Sequence, residues 1–96
     1  MRRQMNSEKL YGRDHLMVVA AVRYCIGRMT YIVGDCADWI IANWKDWPES
    51  TRAIIKRDIE EAFRHDDIDR EQNRPVKTLG MDCDRQQWER VRSLWK

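Results

Sequence analysis

The chain has 96 residues, 18 basic and 16 acidic side chains, a formal net charge of +2 and 43% hydrophobic residues. That is one globular domain's worth of core, and it excludes a disordered or collagen-like chain. With only 4 Gly and 2 Pro, a turn-rich all-β fold is excluded as well.

The charges lie in blocks. Residues 1–28 and 85–96 are basic, whereas 29–51 and 65–84 are acidic. Such a surface suits a polar protein partner as well as a nucleic acid, and the small net charge is not the excess of a dedicated nucleic-acid binder. The longest apolar run, Leu16 to Val22, is closed by Arg23, so no membrane-spanning helix is expected. Met1-Arg2-Arg3 is not followed by the apolar stretch of a secretory signal. Cys25, Cys36 and Cys83 are odd in number and contain no Cys-x-x-Cys. These features together point to a cytoplasmic protein whose thiols stay reduced.

Residues 1–13 read as a polar, basic N-terminal arm, with Ser7 capping one short turn that Gly12 ends. Residues 14–96 read as a single helical domain. Its first helix is expected from His15 to Ile26, with Asp14 as N-cap and Gly27 as the left-handed C-cap. Leu16, Val18, Val19, Val22, Cys25 and Ile26 cover most of its circumference, which predicts the central, most buried helix. The second helix is expected from an N-cap at Thr30 to Trp44 or Trp47. Val33, Cys36, Ile40, Trp44 and Trp47 fall on one face. A short strand over Tyr31–Val33 is the alternative, but it would have no partner strand.

Pro48 marks a break and the start of a third helix, expected over Glu49 to Phe63 with Ile54, Ile55, Ile59, Ala62 and Phe63 as its core stripe. Lys56–Glu60, Arg57–Glu61 and Glu60–Arg64 are spaced for ion pairs on its exposed face. Residues 65–81, rich in acid and containing Pro75 and Gly80, read as one long acidic loop, with a short turn of helix around Asp67–Gln72, ended by Pro75, as the alternative. In the last helix Asp84 and Gln87 match a capping box, with Cys83 stapled to Trp88. Trp88, Val91 and Trp95 form its docking face. The expected architecture is therefore all-α: about four helices, a polar N-terminal arm and one long acidic loop.

No pattern of enzymatic chemistry is present: no P-loop, GxGxxG, nucleophile elbow or HExxH. The cysteines and the two histidines lack the close spacing of a zinc site. The acids after His65 lack the glycine of a calcium loop. No metal, no cofactor and no catalytic residue is assigned. Two binding surfaces remain. One is a partner-binding surface of Trp39 with Asp66, Asp67 and Asp69, in which an exposed indole flanked by acid anchors a basic partner. The other is a nucleic-acid-binding surface of Arg85, Arg90, Arg92 and Lys96, in a chain where arginine outnumbers lysine 13 to 5. The bland reading of the same groups is a solvated acidic loop and a basic helix end that complements its dipole.

The segment Arg23-Tyr24-Cys25-Ile26-Gly27-Arg28-Met29-Thr30-Tyr31-Ile32-Val33, continuing through Asp35, Cys36 and Trp39, carries a resemblance. So do Arg57-Asp58-Ile59-Glu60 and Asp82-Cys83-Asp84 before a Trp-bearing helix. Together they resemble small accessory proteins of tailed bacteriophages and prophages, a group that includes anti-CRISPR proteins and other inhibitors of host-defence nucleases. The resemblance implies stoichiometric binding to a host protein complex and no catalysis. The alternative is a small nucleic-acid-binding accessory protein that uses its terminal arginines.

Overall fold

In a computed structural model of the chain, residues 12–26, 30–76, 78–80 and 82–96 are described. Among these residues four α-helices follow one another: α1 (Gly12–Cys25), α2 (Thr30–Asn43), α3 (Glu49–Glu71) and α4 (Asp82–Arg92), with a 3-10 turn over Trp44–Asp46. No strand occurs among the described residues, and Tyr31–Val33 is helical. The all-α domain of four helices is the observed architecture. The expected turn at Ser7 and the C-cap at Gly27 lie outside the described residues, as does most of the expected N-terminal arm.

α2 supplies the expected face. Val33, Cys36, Ile40, Trp44 and Trp47 are all buried, joined by Ala37. Extended backbone at Trp47 and Pro48 ends the 3-10 turn, and the Pro48 carbonyl accepts the Arg52 N–H at 3.0 Å to begin α3. Proline serves here because its missing N–H is one the helix start would leave unmatched anyway. α3 places Thr51, Ile55, Ile59, Ala62 and Phe63 in the core, with Ile54 only half-buried. α4 adds Trp88 and Val91, and Leu94 and Trp95 pack beside them.

The expectations for α1, for residues 65–81 and for the start of α4 are corrected. α1 is not the most buried helix. Only Val19 and Val22 are buried, while Leu16, Met17 and Tyr24 are 66, 58 and 58% exposed. An apolar residue is buried only where another element packs on it, and α1 packs on α2 and α3 from one side. α1 also starts at Gly12, so Asp14 stands in its first turn, exposed, and is not the N-cap.

There is also no acidic loop from residue 65. α3 runs on to Glu71, so Asp66, Asp67 and Asp69 are helical. The stripe Ile55–Ile59–Ala62 simply continues to Asp66, which is fully buried. The helix ends at Asn73 (φ 58°), where the Asn73 N–H meets the Arg70 carbonyl and the Arg74 N–H the Asp69 carbonyl. This is a Schellman closure with asparagine in the left-handed position, followed by Pro75. Third, α4 begins at Asp82, two residues before the expected cap. Cys83 therefore lies inside the helix and exposed, and Asp84 is buried in the first turn.

Candidate docking surfaces

The residues singled out for partner binding are placed apart in role. Asp66 accepts a hydrogen bond from Arg70 Nε at 2.8 Å and another from Arg85, and is fully buried between them. It ties α3 to α4 and has no free face for a partner. Asp67 is exposed and pairs with Arg85 Nη2 at 2.9 Å. Asp69 pairs with Arg74 Nε at 3.3 Å. Trp39 is 37% exposed. Its ring meets the buried Trp47 edge-on at 5.1 Å, and its carbonyl accepts the Asn43 side-chain N–H at 2.8 Å. The indole is thus braced on the core with one side open.

The arginines of the second candidate surface are already partnered. Arg85 joins Asp66, Asp67 and Glu89, and its guanidinium stands 4.9 Å from the Phe63 ring centre. Partial burial works against its charge, but the hydrogen bonds to Asp66 and Asp67 prevail and raise its pKa. Arg92 forks onto Glu60 and lies 4.4 Å from the same ring. Arg90 reaches Asp38 at 2.8 Å and Gln87 at 2.6 Å, joining α4 to α2. Lys96 is exposed. A cation matched to a protein carboxylate must give up that partner before it neutralises a phosphate, so this face is a set of inter-helix clamps.

The hollow beside Phe63 has the same character. It is lined by Arg57, Glu60, Arg64 and Arg92 among others. Each of these arginines stands within ion-pair distance of an acid, namely Asp58, Glu61 and Glu60. Among the described residues, no group of three or more His, Cys, Asp or Glu side chains is placed to hold a metal ion. No described helix is long and apolar enough to cross a membrane.

The surface that sequence reasoning missed is the outer side of α1. Leu16, Met17, Ala20, Ala21 and Tyr24 are all exposed and recur at i, i+1, i+4, i+5 and i+8, which keeps them on one side of the helix. Arg13, at the N-terminal end of this side, is exposed. The other side holds the helix in place through Val19, Val22, a 2.6 Å hydrogen bond between His15 Nδ1 and Thr51 Oγ1, and Arg23 on Asp58 at 2.7 Å. The signal was present: a helix apolar around most of its circumference has more greasy surface than one flank can bury. Compared with protein-family models, curated proteins and solved structures, the chain has no match.

Proposed function

We propose that the chain is a non-enzymatic protein-binding module that docks on another protein through the outer side of α1. The observation that carries this reading is the continuous apolar strip of Leu16, Met17, Ala20, Ala21 and Tyr24, three of them large side chains more than half exposed. Apolar anchors at helical spacing are the recognition pattern of a helix laid into a groove. Monomeric domains seldom leave such a strip uncovered without a use for it. Arg13 at one end favours a groove whose rim carries a carboxylate.

The resemblance to phage accessory proteins supplies the partner class: a host protein complex such as a defence nuclease or a CRISPR effector, held stoichiometrically in the cytoplasm of a bacterial host. Trp39, braced on Trp47, offers a second apolar contact. The nucleic-acid alternative draws on Arg85, Arg90 and Arg92, which are matched to acids, and no observation favours it.

The test is protection of phage from a panel of host nucleases and CRISPR effectors in cells expressing the chain. Protection lost in Leu16→Glu and Met17→Glu, with unchanged helical circular dichroism and Tm, supports the reading. Full protection by both variants overturns the site. A dimer in sedimentation that Leu16→Glu dissolves assigns the strip to self-association instead. Steeply salt-dependent binding to generic DNA or RNA by both the protein and the variants moves the function to nucleic acid.

A further inference from the structure

A groove of about 330 Å³ opens between the start of α3 and the C-terminal turn, and none of its residues belongs to α1. Trp44, Leu94 and Trp95 form its apolar wall, and Arg52, Lys56 and Glu49 its polar side. The two indoles lie against each other with ring centres 5.3 Å apart and planes tilted by 33°. The Trp95 N–H is anchored on Glu60 at 2.8 Å, so the wall is fixed before any ligand arrives.

The cations here differ from most of the arginines elsewhere among the described residues. Arg23, Arg57, Arg64, Arg70, Arg74, Arg85, Arg90 and Arg92 each stand within 4.0 Å of a carboxylate. Among the described residues, neither Arg52 nor Lys56 makes an ion pair, although they stand one helical turn apart in the same groove. Arg52 Nε is buried and has no hydrogen-bond partner among the described residues. A buried donor left unmatched costs free energy, and guanidiniums in proteins are ordinarily paired. Two cations with no ion pair among the described residues, set beside a fixed aromatic wall, are complementary to an anion that carries an apolar group.

We propose that this groove binds an acidic segment of a protein partner, with one carboxylate on Arg52 and Lys56 and a neighbouring apolar side chain against Trp44, Leu94 and Trp95. Glu49 on the rim decides between the anions available. It leaves the site one positive charge in net, which matches a single carboxylate and opposes a run of phosphates. Its oxygens also accept the backbone N–H groups that a peptide brings and a phosphodiester lacks. The site lies beyond the α1 strip and stands or falls without it.

The experiment titrates the full-length 15N-labelled chain and follows the Trp95 indole N–H and the Arg52 Nε–H. The probes are acetyl-aspartyl-leucyl-phenylalanine amide, its asparaginyl counterpart and a ten-residue oligothymidylate. The acidic peptide should give saturable shifts of both signals by about 10 mM, a modest affinity suited to a fragment of the partner. The asparaginyl peptide should bind about tenfold more weakly, and Arg52→Gln and Lys56→Gln should each weaken the acidic peptide about as much, with Tm unchanged. Lys56 is exposed, so its variant keeps the test valid if Arg52→Gln perturbs packing. Equal binding of the two peptides, indifference to both substitutions, or no saturable shift overturns the proposal. Stronger binding of the oligothymidylate overturns it in favour of nucleic acid.

Discussion

Arg92 closes a two-pronged ion pair on Glu60, with its Nη2 and Nε 2.9 and 3.0 Å from the two carboxylate oxygens. The Trp95 indole N–H donates to the same carboxylate at 2.8 Å. One acid on α3 thereby fixes both the end of α4 and the turn after it. Hydrogen bonds from Arg92, then from Trp95, hold the Glu60 carboxyl below its ordinary value of 4.5. A lowered pKa means that the unfolded chain takes up the proton first as pH falls. The contribution is complete above about pH 4.5 and is lost as pH falls through the lower, folded value. Glu60→Gln should cost about 1–2 kcal/mol at neutral pH, since the pair is partly solvent-screened. Urea midpoints followed from pH 7 downward should fall less steeply in the variant than in the wild type.

Asp66 and Asp67 are neighbours in sequence and opposites in consequence. Asp66→Asn leaves Arg70 and Arg85 facing a neutral amide in a closed site and should cost about 3 kcal/mol. Asp67 is exposed, and Asp67→Asn should change stability by less than about 0.5 kcal/mol. Thermal melts of the two variants side by side check this. Equal effects would mean that the α3–α4 seam does not depend on a buried acid.

Gly80 and Gly34 respond to alanine with opposite signs. Gly80 has φ +80°, and a Cβ there would stand 2.7 Å from Asp84 Oδ2, so Gly80→Ala should destabilise by more than about 1 kcal/mol. Asp84 is buried and cannot swing into solvent to make room. Gly34 sits within α2, and among the described residues nothing lies within 4 Å of where a Cβ would stand, so Gly34→Ala should stabilise by about 0.5–1 kcal/mol. Chemical denaturation of the two variants reads both signs in one experiment.

The Cys36 thiol is pushed well above its ordinary value of 9.0, first by burial and then by its hydrogen bond with Cys25. Because the folded pKa is raised, this contribution to stability is intact below the unfolded value and is lost as pH rises above it. Urea midpoints between about pH 8 and 10 should fall for the wild type and fall less for Cys36→Ala. Iodoacetamide should leave Cys36 unmodified in the folded chain and alkylate it in urea.

Periodicity carried most of the fold. The stripe from Val33 to Trp47 on α2, Ile55 and Ile59 of α3 and the Trp88–Val91 face of α4 are buried as their spacing requires. The C-terminal third of α3 was misread because His65 to Glu71 is dense in charge, and charge density resembles a solvated loop. What makes it helical is tertiary: Arg85 from α4 converts Asp66 from a polar residue into a core residue. The candidate residues suffered the same blindness. An ion pair across 52 residues, such as Asp38 with Arg90, leaves no local mark on either segment, so partnered arginines looked available. Spacing did mark α1 as apolar on most sides, but it could not say that Leu16 and Met17 would stay exposed.

The one-sided seating of α1 has an energetic consequence for the whole chain. With Val19 and Val22 as its only buried side chains, α1 draws less free energy from the core than α3 does, and it should be the first element to open while the rest stays folded. Its amides would then exchange with solvent faster than those of α3. A protein that covers the strip of Leu16, Met17 and Tyr24 selects the closed form, and its binding energy is transmitted to every contact α1 makes. The concentration of a protein bound there would thereby become a determinant of fold stability. At a hundredfold excess over Kd the closed chain gains about 2.7 kcal/mol, a sizeable share of what holds a domain of this size together.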